Sequence, residues 1–521
     1  MSSKTWWEDY RKRKYKPKNR LSLEMIIRKS FVETFKEYVD CASIAGLRHV
    51  VAKDYSILQR SSRILWAILL CLTLSVVIHF LHLTWMSTLT KPLVVSGESF
   101  TYPIRNIDFP AVALCNINRI SKKALKNVTL ELHPKLAKHN MTLLELEFFL
   151  QDMGRLINFD YDETKPLLKF LDVFAMKEFS ERQVKLMKEL APNCDEMLIR
   201  CFWGGKILDC KDIFKVRRTV LGHWPSITPH ALIEEVKRQT VPGPGNGLWV
   251  LMDPILDDYA YPMTFRQGFE FDPTHFADLT GGRVLQRTAQ PNHLQMFQIS
   301  SVKQIASSEV RKYPAKTRKC LFHDEHKKNF RNMYSYSACI VKCRIQSVQS
   351  LCQCTPYFLP TGVSTHLPTC TLKNLRCLNK YKEKFHYLYP MDTEDTTGLE
   401  QELADSLYCS DCWPDCELTQ HFAKSFRIPL PGELMRLKGF RNGFIEGINI
   451  SNKCLIAIYQ PTSEGILHRL DVVAYWFEIL SNIGGFAGML MGIGIYTIVE
   501  FVYFLSIRFI QLIYRNYVKY G

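Results

Sequence analysis

The sequence lacks the short motifs of hydrolases and nucleotide-binding enzymes. It contains no Gly-x-Ser-x-Gly, no Walker phosphate-binding loop and no His-Glu-x-x-His pair. No internal repeat and no low-complexity segment is apparent. We expect no cleavable signal peptide, because the first hydrophobic segment begins late and no small-residue cleavage site follows it. Glycine and proline are ordinary, at 25 and 24 of 521 residues, which excludes a fibrous or disordered chain. We expect a folded protein that is not an enzyme.

Long apolar runs occur at two places. The first, Ile64–Trp85, has about the 20 residues that a helix needs to cross a bilayer. The second, Tyr475–Ile507, carries five glycines between Gly484 and Gly494, and the acidic Glu500 lies near its end. Each glycine costs a helix interior about 1 kcal/mol relative to alanine. The second run is therefore typical of close helix packing or of a narrow pore where carbonyls meet ions, rather than of a simple anchor.

Basic residues flank both runs. The N-terminal segment contains RKRKYKPKNR, the C-terminal tail holds Arg508, Arg515 and Lys519, and the formal charge of the chain is +16. The positive-inside rule predicts that both termini are cytoplasmic and that the middle of the chain is extracellular. A basic terminus is also found in nucleic-acid-binding proteins, but here the charge sits where a membrane flank requires it. We therefore expect a lipid bilayer, and no nucleic acid, as a partner.

Cysteines and glycosylation sequons concentrate in the middle of the chain. Of the 17 cysteines, all but Cys41 and Cys71 lie between Cys115 and Cys454. Three sequons fall in the same stretch, at Asn127, Asn140 and Asn449. Both features are typical of an oxidising, extracellular compartment and agree with the predicted topology.

Many of these cysteines are spaced for a nested set of disulfides. Cys339 and Cys343 lie four apart on a helix predicted from Asn329 to Leu351, and a later triplet has helical spacing too. Two antiparallel helices with stacked cysteines can be joined rung by rung, which favours Cys343–Cys409, Cys339–Cys412 and Cys320–Cys416. The loop between them would be closed by Cys352, Cys354, Cys370 and Cys377. A zinc site is the alternative, which the compartment disfavours, and sequence alone does not fix the connectivity.

The rest of the middle region alternates short strands and helices. Strands are predicted at Val94–Tyr102 and Leu294–Val302, and in the segments FPAVALCNI, LWVLMD and LIAIYQ. Helical periodicity runs from Lys122 to about Leu190. We expect an α+β domain whose helices pack around a mostly antiparallel sheet.

Four segments, taken in order, resemble the degenerin, epithelial sodium channel and acid-sensing ion channel family. They are FPAVALCNIN, YSYSACIVKCRIQSVQSLCQCTPYFLP, CSDCWPDC and SNIGGFAGMLMGIGIYTIVEFVYF. The similarity spans about residues 42–500. The YSYSAC and CSDCWPDC motifs are most like those of the insect pickpocket branch. It implies two transmembrane helices that flank a hand-shaped, disulfide-rich extracellular domain. It also implies a trimer in the plasma membrane with an amiloride-sensitive, sodium-preferring pore.

Together with the apolar runs, the resemblance divides the chain into five parts. They are a cytoplasmic N-terminus (1–63), a first transmembrane helix (64–86), an ectodomain (87–473) with a disulfide-stapled thumb (320–416), a second transmembrane helix and pore (474–507), and a cytoplasmic tail (508–521).

The resemblance also assigns pore residues within the second run. Gly492, Ile493 and Gly494 occupy the selectivity site of the family. Gly488 lies at the amiloride position, and Ser481 lies where bulky replacements hold such channels open.

Two further positions are assigned in the same way. Glu500 matches the acidic residue that closes the second span, and Ala45-Gly46 falls on a cytoplasmic His-Gly gating motif. The chain departs from the family because alanine replaces the motif histidine, Gly494 replaces the selectivity serine, and Asn482 stands where acid-sensing members carry aspartate. Losing the serine removes a hydroxyl but leaves the carbonyls, so we expect weaker selectivity or reliance on partner subunits.

Three further disulfides are expected, namely Cys201–Cys210, Cys352–Cys377 and Cys354–Cys370. The segment in which the family carries the usual partner of Cys115 reads Gly222-His223-Trp224 here. Since the ectodomain holds an odd number of cysteines, at least one stays outside the intramolecular pairs. Three are left unassigned, namely Cys115, Cys194 and Cys454.

The preferred hypothesis is a subunit of a trimeric cation channel, built from copies of this chain or with sister subunits. It would be gated through the ectodomain by an extracellular ligand or stimulus. Sodium is the expected permeant ion and amiloride a blocker, and we expect no cofactor, metal or catalytic residue. Because of Ala45 and Gly494, an auxiliary subunit that does not conduct alone is the second hypothesis. A two-span receptor without a pore is the third, and the glycine content disfavours it.

Overall fold

The computed structural model describes residues 22–51, 57–90, 92–136, 141–161, 177–219, 222–227, 238–264, 266–274, 287–325, 334–357, 367–389, 397–430 and 443–520. It forms two compact units. The terminal unit combines Met1–Val94 with Val472–Gly521, and the central unit is Val95–Asp471.

The α-helices of the described residues are numbered in chain order. They are α1 (Leu23–Cys41), α2 (Leu47–Val51), α3 (Ile57–Thr90), α4 (Lys122–Leu136), α5 (Leu143–Asp152), α6 (Arg155–Asn158), α7 (Lys177–Leu190), α8 (Cys194–Met197), α9 (Cys210–Ile213), α10 (Ala315–Arg318), α11 (Tyr336–Cys352), α12 (Leu375–Lys380), α13 (Lys382–His386), α14 (Glu400–Ala404), α15 (Trp476–Met491), α16 (Ile495–Tyr503) and α17 (Phe509–Tyr520). A π-helical turn, Phe504–Arg508, joins α16 to α17.

The strands of the described residues follow the same order. They are β1 (Leu93–Pro103), β2 (Ala111–Asn116), β3 (Leu198–Trp203), β4 (Lys206–Leu208), β5 (Lys215–Thr219), β6 (Gly222–Ile227), β7 (Leu248–Met252), β8 (Phe269–Thr274), β9 (Arg287–Ala289), β10 (His293–Ala306), β11 (Leu418–Pro429), β12 (Cys454–Tyr459) and β13 (Glu464–Val472).

The larger sheet is organised around the long strand β10. Its order is β1-β13-β10-β12-β7-β3-β4, with β11 also paired to β10. β11 runs antiparallel along one edge of β10. Along its other edge, β10 pairs first with β12 and then with β13. Both of these strands run parallel to β10. The sheet is therefore mixed, and the expectation of a mostly antiparallel sheet holds except at this shared edge.

A second, five-stranded sheet has the order β5-β6-β2-β8-β9 and antiparallel pairing throughout. A core between the two sheets contains Leu114 and Phe269 from the smaller one and Val250, Phe297 and Ile456 from the larger one. All five side chains are almost fully buried. Each large apolar side chain buried in this way contributes about 1.5–3 kcal/mol to folding. The α+β class expected from the sequence is confirmed.

The FPAVALCNIN segment holds a neighbouring loop in place through buried amides. Asn116 donates from Nδ2 to the Pro254 carbonyl at 3.0 Å. Asn118 accepts the backbone N–H groups of Ala260 and Tyr261 at its Oδ1, at 3.2 and 3.0 Å. Both asparagines are 1 % exposed. Because buried backbone donors need acceptors, these amides fix the path of the loop that follows β7.

Six disulfides staple the central unit. They are Cys201–Cys210, Cys320–Cys416, Cys339–Cys412, Cys343–Cys409, Cys352–Cys377 and Cys354–Cys370. The structure thus joins the same six pairs that the sequence analysis expected. Four of them attach to α11 or to the residues just after it, so this helix carries a cross-linked column.

The prediction that the cysteine triplet lies on a second helix is wrong. Residues 409–416 form turns, and Pro414 lies among them. Proline lacks a backbone N–H and forces the preceding residue, Trp413, toward an extended conformation, which prevents a continuous helix. The turn is held instead by Tyr334, two residues before α11, which donates its hydroxyl to the Trp413 carbonyl at 2.5 Å. Two of the three rungs, Cys339–Cys412 and Cys343–Cys409, therefore form between one helix and a turn, and the third joins Cys416 to Cys320, which lies outside the helix.

The start of α11 also differs from the expected boundary. The helix begins at Tyr336, where Ser335 accepts the Ala338 N–H in an N-cap, and not at Asn329, which lies outside the described residues.

In the terminal unit two segments are long and apolar enough to cross a membrane. Ser61–Met86 lies within the 34-residue helix α3 and has a mean hydropathy of 2.6. Ile495–Tyr520 has a mean hydropathy of 1.5 and extends past the predicted end of the second run at Ile507. With 16 residues, α15 is about 24 Å long, which is shorter than a hydrocarbon core of about 30 Å. The second crossing thus needs residues on both sides of the gap between α15 and α16.

Candidate functional site

The second apolar run is broken at three consecutive residues, Gly492 to Gly494. Helix α15 ends at Gly492, which has a left-handed backbone with φ of 69°. Gly494 is extended, with φ of −119° and ψ of −173°, and α16 begins directly after it. A left-handed residue is unfavourable for every side chain with a Cβ, so glycine at 492 is what permits this sharp end. The expected selectivity residues therefore lie in non-helical backbone.

The break releases two backbone carbonyls. The Gly494 carbonyl accepts hydrogen bonds from the N–H groups of Thr497 and Ile498, at 3.1 and 3.4 Å. No donor among the described residues bonds to the Gly492 or Ile493 carbonyl. Carbonyl oxygens are the ligands with which membrane pores replace the hydration shell of a cation. The site can therefore coordinate a cation without a charged side chain.

A loop from the N-terminal segment, residues 42–46, bridges the two sides of the break. The Ala45 N–H donates to the Met491 carbonyl, the last of α15, at 3.0 Å. Ser43 donates its hydroxyl to both carboxylate oxygens of Glu500 on α16, at 2.8 and 2.9 Å, and its N–H to one of them at 3.2 Å. We call residues 42–46 the N-terminal loop. It joins α15 to α16 across the break, where the Gly492 and Ile493 carbonyls accept no hydrogen bond from the described residues.

The two residues of the Ala45-Gly46 pair contribute through the backbone. The contact of Ala45 with Met491 uses the peptide N–H, so the histidine expected at this position is not needed for it. Gly46 has φ of 82°, and a Cβ there would lie 3.0 Å from the ring of Trp66 on α3. Both the backbone angle and the contact favour glycine.

Glu500 lies one and a half turns below the break, and its carboxylate is bonded to Ser43 of the same chain. A charged group within a membrane span is costly unless it is paired or hydrated. These bonds give Glu500 a structural partner and join it, through the N-terminal loop, to Ala45-Gly46 and to the expected selectivity residues in one cluster.

Below the cluster, helix α1 packs along α17. Arg508 donates to Glu37 at 2.6 Å, and the buried Asn516 donates to Ser30 and Glu33 at 3.0 and 2.9 Å. The hydrogen bond from Asn516, together with the nearby Arg515, holds the pKa of Glu33 below its usual value. These contacts fix the entry of the chain into the N-terminal loop.

The other expected pore residues lie on α15, apart from the cluster. Gly488 and Ser481 are both exposed, one and three turns before the break. Among the described residues, no heavy atom lies within 4 Å of the position that a Cβ on Gly484 or Gly485 would take. The contact between α15 and α3 instead uses Phe486, which stacks on Phe80 with ring centroids 5.0 Å apart. The glycine face is therefore open in the single chain.

Three cysteines of the central unit remain as thiols outside the disulfides, namely Cys115, Cys194 and Cys454. Burial, reinforced by Asp195, raises the pKa of Cys194 to about 12. Burial and the nearby Asp253 also raise the pKa of Cys454. Both thiols stay protonated at neutral pH, and they are therefore poor nucleophiles.

Two of the three sequon asparagines lie within the described residues. Asn127 is exposed on α4, and Asn449 is exposed in a turn where its Oδ1 accepts the Ser451 N–H at 3.0 Å. Asn140 lies outside the described residues.

Sequence reasoning missed helix α1, the serine that binds Glu500, and Thr497. A signal for α1 was present in Ser22, which caps its first turn by accepting the Met25 N–H at 3.4 Å. Thr497, three residues after Gly494, has the spacing at which a hydroxyl can reach back to a helix start.

A membrane-spanning helix that is broken to release carbonyls, in a chain with a disulfide-rich middle, defines a two-span ion channel subunit. Sequence comparison agrees with this class. The family described as amiloride-sensitive sodium channel matches residues 38–504, and the chain belongs to this family.

Individual relatives are distant but cover most of the chain. The chain is 23% identical to sodium channel protein Nach of Drosophila melanogaster over 518 residues, which cover 93% of this chain and 88% of the relative. It is 20% identical to pickpocket protein 28 of the same fly, covering 90% and 78%. It is 22% identical to the bile acid-sensitive ion channel of Mus musculus, covering 91% and 88%.

These findings identify a subunit of a cation channel of the degenerin, epithelial sodium channel and acid-sensing type. Members of this family are multimeric, two-span channels of the plasma membrane and are not enzymes.

Replacing Gly492 and Gly494 by alanine should have unequal effects. Gly492→Ala places a Cβ in left-handed backbone, which costs about 1–2 kcal/mol. Gly494→Ala fits, because its backbone is extended and no described atom lies within 4 Å of the new Cβ. Thermal unfolding of the purified full-length protein should show a lower Tm for Gly492→Ala and a smaller change for Gly494→Ala. Equal shifts would contradict the left-handed assignment.

Ser43→Ala and Glu500→Gln should be energetically coupled. Each removes hydrogen bonds within the same contact, so the double variant should lose less stability than the sum of the two singles, by about 1 kcal/mol. Melting temperatures of the four proteins in the cycle measure this. Ser43→Ala combined with Glu37→Gln is the matched control and should be additive, because Glu37 bonds to Arg508 and not to Ser43. Additivity in both cycles would exclude the bridge to Glu500.

Proposed function

We propose that this chain is a subunit of a trimeric, sodium-preferring and amiloride-sensitive cation channel that is gated through its extracellular domain. The observation that carries the proposal is the break at Gly492 to Gly494, where two carbonyls accept no hydrogen bond from the described residues.

Membrane physics supports a pore at the break. Non-helical backbone at membrane depth is tolerated only where it is buried in protein or lines a water-filled cavity. Three copies of the chain around an axis would bring six released carbonyls, two from each copy, into a ring. Such a ring replaces part of the hydration shell of sodium without placing a charge in the membrane.

The residues above the break fit a blocker site. Gly488 is exposed, and the Ile493 carbonyl lies 3.7 Å from the position that a Cβ on Gly488 would take. A cationic blocker such as amiloride would meet that carbonyl with no intervening side chain. Ser481, about two turns higher on the same helix, is exposed as well, so a bulky replacement there changes the packing between subunits rather than the fold of one chain.

Gating through the ectodomain is supported by the cross-linked column on α11. Its disulfides join residues that are up to 73 positions apart in sequence. Such cross-links restrict local unfolding, so a displacement of the column moves it as one piece. The basic flanks support cytoplasmic termini, which place the whole column outside the cell.

An auxiliary subunit that does not conduct alone is the second candidate. It is favoured by Gly494, which offers no side chain at the family's serine position. The absence of histidine at position 45 supports the auxiliary-subunit hypothesis more weakly than Gly494 does, because Ala45 makes its contact through the backbone N–H. Gly494→Ser should raise the current of the chain expressed alone if the missing serine limits conduction.

The test is two-electrode recording of the full-length chain, alone and with sister subunits, in a Ser481→Phe variant. The bulky ring should produce a constitutive inward current that reverses near the sodium equilibrium potential and is blocked by amiloride. Ser481→Ala is the matched control, because it removes the hydroxyl without adding bulk and should not open the channel.

Two outcomes would overturn the proposal. A surface-expressed Ser481→Phe protein without current in any combination would favour the receptor hypothesis. Lack of modification by water-soluble thiol reagents at cysteines introduced between Ser481 and Glu500 would give the same answer independently of gating.

A further inference from the structure

Residue 494 is held in place by the first turn of α16, where Ile498 donates its N–H to the Gly494 carbonyl at 3.4 Å and Thr497 makes two further hydrogen bonds. The Thr497 hydroxyl accepts the Gly494 N–H at 3.3 Å, and the Thr497 N–H donates to the Gly494 carbonyl at 3.1 Å. Thr497 is 5 % exposed. One buried residue on the first turn of α16 thus engages both polar backbone groups of the last residue in the break, the N–H through its hydroxyl and the carbonyl through its own backbone N–H.

Gly494 has little else to fix its conformation. It has no side chain, and no heavy atom of the described residues lies within 4 Å of the position that a Cβ would take. Glycine has the largest backbone freedom of any residue. The hydrogen bonds from α16 are therefore what orders residue 494.

The direction of the Gly494 N–H also determines the direction of a carbonyl. The N–H of Gly494 and the C=O of Ile493 belong to one planar trans peptide unit, in which they point in opposite directions. When the N–H points to the Thr497 hydroxyl, the Ile493 carbonyl points away from α16. It lies 3.7 Å from the position of a Cβ on Gly488, on the open glycine face of α15.

We propose that Thr497 is a positioning residue for ion selectivity, whose hydroxyl aims the Ile493 carbonyl at the permeant cation. Thr497 does not touch the ion and acts through the peptide unit between Ile493 and Gly494. In this chain it supplies a hydroxyl beside residue 494, where the side chain itself is missing. This inference rests on the proposed function, because it assumes that the break faces a cation pathway.

Thr497→Val and Thr497→Ser form a matched pair. Valine keeps the branched shape and the burial but removes the acceptor, whereas serine keeps the hydroxyl. In the Ser481→Phe background, the ratio of sodium to potassium permeability, taken from reversal potentials, should fall with valine by roughly two- to tenfold, the range for losing one neutral hydrogen bond. Serine should leave the ratio near that of the background. A purely structural role would lower current amplitude and leave the ratio unchanged.

Hydrogen exchange of the purified full-length protein tests the contact without relying on conduction. The peptide that contains Gly494 should exchange one additional amide quickly in Thr497→Val and not in Thr497→Ser. Unchanged exchange in the valine variant would overturn the proposal, and so would changed exchange with an unchanged permeability ratio. Absence of current in every combination would count against the channel itself, while the exchange result would still decide whether Thr497 orders the break.

Discussion

The left-handed backbone of Gly492 is the constraint on which the terminal unit depends. A continuous helix through this point would pair every carbonyl with an N–H four residues later. By turning left-handed, Gly492 ends α15, and the next helix begins only after Gly494. The Gly492 and Ile493 carbonyls accept no hydrogen bond from the described residues, and the segment that follows them, Ile495–Tyr520, is long and apolar enough to cross a membrane. A bilayer penalises such groups unless they are buried in protein or face water or an ion, and the polar pathway is the alternative that we propose.

A break of this kind needs support from outside the helix, and the N-terminal loop provides it. Ser43 and Ala45 attach to the two helix segments through four hydrogen bonds, and α1 anchors the loop by packing along α17. A displacement of the N-terminal segment would therefore pull on the residues that surround the released carbonyls. The cluster depends on backbone groups and on one serine, which explains how it persists although alanine stands at position 45.

Sequence patterns predicted the parts of this structure that depend on strong local constraints. The family resemblance assigned the selectivity residues to Gly492, Ile493 and Gly494, where the break occurs. The cysteine spacing together with the resemblance led to all six disulfide pairs. The local conformation at the cysteine triplet was predicted wrongly, because three- and four-residue spacing occurs in turns as well as in helices, and Pro414 decides between them.

Other features were beyond reach because tertiary contacts overrule the local pattern. In α1 the buried face carries Ser30 and Thr34, whereas Phe31 and Phe35 are 52% and 50% exposed, so apolar periodicity points to the wrong face. The shared edge of β10 arises from strands more than 150 residues apart, which no local pattern encodes.

The central claim is that the released carbonyls of Gly492 and Ile493 line the ion pathway. Cryo-electron microscopy of the assembled full-length protein in lipid nanodiscs tests it most directly, at a resolution that shows carbonyl oxygens. The account predicts a three-fold assembly in which these two carbonyls are the protein atoms nearest the axis at the level of the break, with Ser43 bonded to Glu500 beside them. A helix that continues through residue 492, or a break that faces lipid while another segment surrounds the axis, would contradict the account.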